Sequence, residues 1–376
     1  MIAGEPSGDV LGGHLMAALK ARSGAALKFS GIGGDRMIAE GLDSLFPMRE
    51  LSVMGYMEVI PKIPRLLARI GETADAVRKV NPDAVITIDS PDFTFRVARK
   101  LKGLGIPVIH YVAPQVWAHR PGRAAKISGF LDHILTLLPF EPPLFQAHGL
   151  PCTYVGHAIV EEGADGGDGP NFRQRHGIAD DAPLIAVLPG SRIGVVARHL
   201  PIFGAALGRL AATRPGLRAV VATVSTVIDE VAAGTAQWPV ETLVVTGRLE
   251  KYNAFAAADA ALAASGTVAL ELAIAAVPMV IAYKTNALTA WLARRTVLVD
   301  YACLVNLILD REAVPEFIQE RCRPDLLADA VAELLANSET REAQIRAARA
   351  AVETLGLGGA SPSERAAGVV LGIIKK

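Results

Sequence analysis

Short runs of Val, Ile, Leu and Ala alternate along the chain with longer stretches in which Ala, Leu and Arg recur at helical spacing. "DAVITID" (83–89), "PVIHYVA" (107–113) and "HILTLLP" (133–139) are apolar on both sides of the period-two pattern. Such runs predict strands buried on both faces of a parallel sheet. Helical patterns over 10–22, 93–104 and 121–129 lie between or beside them. The rhythm restarts with "APLIAVLPGS" (182–191), "LRAVVATV" (217–224), "ETLVVTG" (241–247), "DAALAAS" (259–265) and "PMVIAYK" (278–284). From about Asp325 the pattern is helical, with an exposed Arg/Glu/Ala face. Two series of βαβ units predict two nucleotide-binding-like halves facing each other across a cleft. The stretch "GADGGDGPNFRQRHG" (163–177), rich in Gly and Asp, reads as the linker between a domain at 1–162 and one at 178–376.

Composition agrees with this division. A length of 376 residues suits two domains, and 51 % hydrophobic with 20 % charged residues marks a globular chain. Lys plus Arg equals Asp plus Glu at 38 each, which excludes the overall basic field of a nucleic-acid binder. Between Lys62 and Lys126, however, twelve Lys/Arg face five Asp/Glu. The cysteines Cys152, Cys303 and Cys322 form no CxxC or zinc pattern and no disulfide framework, which fits a reducing cytoplasm. There is no signal peptide and no apolar run of spanning length, so contact with a membrane is expected to be peripheral. "LSVMGYMEVIPKIPRLLARI" (51–70) is where that contact is expected. Val53, Met54, Met57, Val59, Ile60, Ile63, Leu66, Leu67 and Ile70 crowd beside Lys62, Arg65 and Arg69, as in an interfacial segment on anionic headgroups. A core helix with a basic edge has the same pattern.

Most informative polar turns fall where a strand ends and a helix begins, the edge of an α/β sheet that binds ligands. "LPGSR" (188–192) offers Gly190, Ser191 and Arg192 beside helix-start amides: a diphosphate cradle, or a turn with a capping serine and a surface arginine. In "SGTVALE" (265–271), Gly266 permits close backbone approach, and Ser265 and Thr267 can cap the helix or bind a ligand. Glu271, on the helical face of Thr267, can accept both hydroxyls of a ribose, since an idle carboxylate among apolar neighbours is costly. "AGEPSGD" (3–9), with Glu5, Ser7 and Gly8, is a glycine-bracketed loop but not a Walker loop, and "GIGGDRM" (31–37) is a near miss for GxGxxG. In "IDSPDF" (88–93), Asp89 ends a buried strand, the setting that turns an acid into a general base, while simple capping is the other reading. Asp92 reads as a helix cap. His110, Trp117, His119 and Arg120 in "HYVAPQVWAHRPGR" (110–123) read as a binding wall.

Taken together, AGEPSGD, GIGGDRM, LSVMGYMEV, IDSPDF, HYVAPQVWAHRPGR, LPFE, YVGH, LPGSR, SGTVALE and DYACLVN (300–306) resemble the lipid-A-disaccharide synthase family over nearly the whole chain. The resemblance implies an α/β fold of GT-B type, with two Rossmann-like domains, and no cofactor or metal. It implies transfer of diacylglucosamine from UDP-diacylglucosamine to diacylglucosamine 1-phosphate, inverting and metal-independent, at the inner face of the inner membrane of a Gram-negative bacterium. UDP binding would fall to Arg192, Ser265, Gly266, Thr267 and Glu271, and proton removal to Asp89. Asn306 matches a functionally important asparagine, acyl chains would lie at 51–70, and a homodimer by exchange of C-terminal segments is the family's precedent. Only Met1 and Ile2 precede AGEPSGD where relatives carry more apolar residues, so a short first strand is expected. Gly194-Val195 stands in place of a usual Ser-Glu, and Val305 in place of a proline. The competing readings are another UDP-amino-sugar enzyme of this fold, an epimerase or a peptidoglycan-precursor transferase, and a non-catalytic membrane-bound paralogue.

Overall fold

The computed structural model describes residues 1–24, 26–51, 63–118 and 122–374. The chain divides into two units, Met1–Ala158 with Gly358–Lys376, and Ile159–Leu357. In the first, seven strands run parallel among the described residues: β1 (Ile2–Ala3), β2 (Phe29–Gly31), β3 (Leu42–Ser44), β4 (Val85–Ile88), β5 (Val108–Tyr111), β6 (His133–Thr136) and β7 (Cys152–Tyr154). Five of them form the sheet β1-β4-β5-β6-β7. The pair β2-β3 joins β1 through a bridge between Ile2 and Ile32, so the spatial succession is β3-β2-β1-β4-β5-β6-β7. The first strand is short, as expected, at two residues.

Alternation along these strands supplies two cores. Ile2, Val85, Val108 and Ile134 bury with Ile70, Phe95, Val97 and Ile127 on one side. Their neighbours Ala3, Ile86, Ile109 and Leu135 bury with Leu15, Met16, Leu19, Ala366 and Val370 on the other. The second core explains why the chain's end leaves the domain expected to extend over 178–376. Helix Pro362–Ile374 lays Ala366, Ala367 and Val370 against helix Pro6–Ser23, closing a face that would otherwise lie open to water.

The second unit holds β8 (Leu184–Leu188), β9 (Arg218–Thr223), β10 (Glu241–Thr246), β11 (Ala260–Ala264), β12 (Met279–Tyr283) and β13 (Glu316–Ile318), parallel and ordered β10-β9-β8-β11-β12-β13. Counted from its own first strand this is 3-2-1-4-5-6, the Rossmann order, and the first unit follows it too. Helix Ile193–Thr213 buries Val196, Leu200, Phe203 and Leu207 in this core. It has the length and mean hydropathy, 1.2, of a membrane span, contrary to the expectation that no segment would. Its apolar face is committed to the sheet.

The stretch 163–177 is not a linker but part of the second unit. Asp168 caps helix Gly169–Arg175 by accepting from Asn171 N at 3.0 Å. Buried Arg173 reaches the carbonyls of Ala257 (2.7 Å), Ala179 (2.9 Å) and Ala182 (3.0 Å). Glycine enrichment here reflects close packing: a Cβ on Gly167 would come within 2.9 Å of Ala256 Cβ.

Candidate active site

In an open α/β sheet of this order, ligands bind beyond the carboxyl ends of the two strands from which the connections diverge. In the second unit those strands are β8 and β11. The turns after them, Gly190-Ser191-Arg192 and Ser265-Gly266-Thr267, line one cavity of ≈320 Å³ together with Lys251 and Glu271. Gly190 has φ +113°, and a Cβ there would lie 2.7 Å from Val195 Cγ1, so only glycine lets the turn close. Arg192 is exposed and begins helix Ile193–Thr213 in extended conformation. That helix has neither a side-chain cap nor an acid in its first turn, and helix Val268–Ile274 has no side-chain cap either. The expected capping by Ser191, Ser265 or Thr267 is therefore not made. Ser265 Oγ instead donates to Ala302 O at 2.7 Å. Uncapped amides, an exposed guanidinium and a lysine make a cradle for anions.

Glu271 is no idle acid. Its Oε1 accepts from Lys251 Nζ at 2.7 Å and from Tyr252 OH at 3.3 Å. Burial and then the Glu271 charge push the Tyr252 phenol well above its ordinary pKa. Neither Lys251 nor Tyr252 stands out in the sequence, because each meets Glu271 only through the fold. Behind the first turn lies His199, fully buried, whose Nε2 accepts from Lys284 N at 3.0 Å. With Nε2 the acceptor, Nδ1 carries the proton and donates to Pro189 O at 3.2 Å. Burial lowers its pKa, keeping the ring neutral and the tautomer fixed. This histidine ties the end of β12 to the turn before Gly190, and only its apolar helix face hinted at it.

Asn306, which the resemblance implies is functionally important, does not line the cavity. It is 0 % exposed, with Nδ2 donating to Val314 O (2.8 Å) and Glu316 Oε1 (2.7 Å). Its Oδ1 accepts from Ala313 N (2.8 Å) and Val314 N (2.9 Å), which saturates the amide. Glu316 in turn accepts from Ala302 N (2.8 Å) and Cys303 N (3.0 Å), and Ala302 holds Ser265. Asn306 thus lies three hydrogen bonds behind Ser265 in the cavity wall.

In the first unit the diverging strands are β1 and β4. Asp89 and Ser90 follow β4 with φ of +50° and +46°, a strained pair of left-handed non-glycine residues. Asp89 is half-buried, and Ser7 Oγ sits 3.5 Å from its Oδ2. Glu5 and Ser7, both exposed, begin helix Pro6–Ser23, while Gly8 is buried against Ala3 and Ile88. A side chain at Gly4 would collide with Ser90. Glu5, Ser7, Gly8 and Asp89 thus come together at one sheet edge. Asp92 makes no side-chain cap; it lies in the first turn of helix Pro91–Leu101, where its charge suits the helix dipole. The last acid of AGEPSGD has a role the sequence hid. Asp9 accepts from Gly34 N (2.8 Å), Arg36 N (3.0 Å) and Met37 N (3.0 Å), capping helix Asp35–Ala39 from outside. GIGGDRM is therefore the receiver of that carboxylate, not a phosphate loop.

One member of the expected binding wall lies in the core instead. His110 is fully buried, hydrogen-bonded to Thr87 Oγ1 at 2.8 Å, and burial holds its pKa down to about 3. Trp117 Nε1 donates to Glu141 Oε1 at 3.1 Å, while His119 and Arg120 lie outside the described residues. Of the membrane segment, Val53, Met54, Met57, Val59 and Ile60 also lie outside them. Ile63 and Leu67 are exposed at 42 % and 51 %, and Leu66 is half-buried. Ile70, 4 % exposed, belongs to the core and not to a surface. Arg69 is bound to Glu50 (2.9 Å) and Glu72 (2.6 Å).

The lipid-A-disaccharide synthetase family profile matches residues 1–368. The lipid-A-disaccharide synthase of Rhodospirillum centenum is 54 % identical over 100 % of this chain and 94 % of its own length. That of Paramagnetospirillum magneticum is 51 % identical over 100 % and 97 %. Among solved structures, the UDP-GlcNAc 2-epimerase of Neisseria meningitidis bound to UDP-GlcNAc superposes with TM-score 0.67 at 13 % identity, over 98 % of both chains. MurG of Acinetobacter baumannii gives 0.58 at 16 %, over 97 % of this chain and 96 % of its own. These distant likenesses show a shared fold of GT-B type, whereas the family profile and the relatives at 51–54 % identity match the chain nearly from end to end, which sets the epimerase and peptidoglycan readings aside. The chain belongs to the lipid-A-disaccharide synthase family, glycosyltransferases that build the disaccharide of lipid A.

Proposed function

We propose that this chain joins UDP-diacylglucosamine and diacylglucosamine 1-phosphate with inversion, at an anionic membrane surface, and releases UDP. The observation that carries the donor assignment is the single cavity shared by Gly190–Arg192, Ser265–Thr267, Lys251 and Glu271. Arg192, Lys251 and the uncapped amides match a diphosphate, and the Glu271 carboxylate, steadied by Lys251, matches the two hydroxyls of a ribose. The UDP-GlcNAc held by the Neisseria epimerase, a protein of the same fold, supports a UDP-sugar. Asp89 takes the proton of the acceptor hydroxyl as its oxygen attacks the anomeric carbon from the face opposite UDP. The bond from that carbon to the diphosphate oxygen breaks, and the developing charge falls to Arg192, Lys251 and the helix-start amides.

The test is UDP release by the purified chain in detergent micelles with both acylated substrates. The expected outcome is one disaccharide 1-phosphate per UDP. Turnover of UDP-GlcNAc without any lipid acceptor would instead make the chain an epimerase. For the membrane, Ile63→Ser with Leu67→Ser, both at exposed positions, is expected to lower cosedimentation with phosphatidylglycerol vesicles. Unchanged sedimentation would remove helix Ile63–Val80 from the contact.

A further inference from the structure

The first unit contains a second polar cavity, separate from the turns that hold Asp89 and Ser7. It measures ≈500 Å³ and runs between helices Pro91–Leu101 and Arg123–Ile127. Helix Pro91–Leu101 contributes Asp92, Phe95, Arg96 and Arg99, spaced so that they share one face. The shorter helix contributes Arg123 and Lys126. Four cations and one carboxylate therefore line a single cavity in a chain whose formal net charge is zero.

Among the described residues none of the four cations forms an ion pair. Two are held by aromatic rings instead. The Arg123 guanidinium lies 5.5 Å from the centroid of the buried Phe95 ring, and that of Arg99 lies 4.8 Å from the centroid of Phe130. Stacking of this kind orients a guanidinium without neutralising it. Oriented, uncompensated guanidiniums are the usual receptor for a phosphate, whose oxygens accept two parallel N–H bonds. The cavity wall begins at Pro91, two residues beyond Asp89.

We propose that this cavity binds a lipid-borne phosphate, and that its source is the 1-phosphate of the acceptor sugar. The assignment rests on the functional reading above: an acceptor whose hydroxyl meets Asp89 needs a receptor for its phosphate near the same strand end. The cavity then selects the phosphorylated sugar, and selection comes from the first unit while the donor diphosphate is bound in the second.

Arg96→Gln with Lys126→Gln removes two exposed cations, and Arg96→Lys with Lys126→Arg keeps the charge. Binding to neutral micelles carrying acyl-glucosamine 1-phosphate, or the same sugar without phosphate, is measured beside UDP release and UDP affinity. The neutral variant is expected to lose at least about tenfold in affinity for the phosphorylated sugar. It is expected to change by less than about twofold toward the unphosphorylated sugar and UDP, with the charge-keeping variant restoring most of the preference. Retained preference for the phosphorylated sugar overturns the proposal. Equal losses on both sugars, or loss of phosphatidylglycerol-vesicle binding with the sugar preference intact, overturn it as well; the latter makes a phospholipid headgroup the occupant. If the unaltered chain discriminates in binding yet releases no UDP, the functional reading fails and the cavity assignment stands.

Discussion

After β8 the chain turns on a glycine, Gly190 at φ +113°, whereas after β4 it turns on Asp89 and Ser90 at +50° and +46°. Both units run 3-2-1-4-5-6 outward from their first strands, the first by way of the bridge between Ile2 and Ile32, so the difference lies in what each turn must present. A diphosphate is bound by backbone amides and cations, which calls for a close, unstrained turn with side chains out of the way. A base must instead place its own carboxylate off the strand direction. Left-handed backbone costs about 1–3 kcal/mol at each such residue and persists only where neighbours over-determine it. Here Asp89 N donates to Tyr111 O (3.0 Å), Thr94 Oγ1 donates to Asp89 O (2.9 Å), and Phe93 N and Thr94 N both donate to Ser90 O (3.0 Å). The same fold thus offers uncapped amides beside cations at one sheet and a strained acid at the other.

That contrast can be broken at several points. A large effect is expected from Arg192→Ala, which removes an exposed cation from the turn after β8: turnover should fall by about 10²–10³-fold if it meets charge developing on the leaving diphosphate. A loss confined to KM would show that it binds ground and transition states alike. Asn306→Ala should destabilise the second unit by about 3 kcal/mol, because it strands the amides of Ala313 and Val314 and takes the Asn306 donor from the Val314 carbonyl and from Glu316. Thermal unfolding checks it, and unchanged stability with lost turnover would return Asn306 to the reacting groups. The smallest effect concerns Glu141 in the first unit, 3 % exposed and hydrogen-bonded to Leu137 N, Leu138 N and Trp117 Nε1. Burial raises its pKa from 4.5 to about 7. A raised folded-state value means its contribution is complete below the unfolded value and is lost as pH climbs through about 7. Between pH 5 and 8 that loss is about 2–3 kcal/mol, and Glu141→Gln should remove it from the pH dependence of melting. An identical pH profile in the variant would mean that burial does not control this acid.

Much of this was legible in the chain itself. Strands announced themselves because a sheet covered on both faces needs apolar residues at every position, as in Val85–Ile88 and Leu184–Leu188. The two turns that line the cavity were legible because Gly190, Gly266 and the polar residues beside them interrupt such strands at their carboxyl ends. What was hidden depends on residues distant in sequence. Asp9 capping a helix 26 residues away, helix Pro362–Ile374 returning to the first unit, and Lys251 meeting Glu271 have no local pattern. His110 misled because a polar side chain looks the same in sequence whether it faces a ligand or is satisfied in a core. The Gly-rich stretch at 163–177 misled because glycine serves close packing as readily as flexibility.

The central claim divides labour: the second unit binds the nucleotide, and Asp89 of the first removes the proton. Asp89→Asn tests it most directly, since asparagine accepts left-handed backbone as readily as aspartate and keeps the shape of the side chain. Turnover with both lipid substrates and UDP affinity by calorimetry are measured on the same preparation. The account predicts a fall in kcat of about 10²–10⁴-fold with UDP affinity unchanged. A parallel loss of UDP affinity, or a kcat close to that of the unaltered chain, contradicts it.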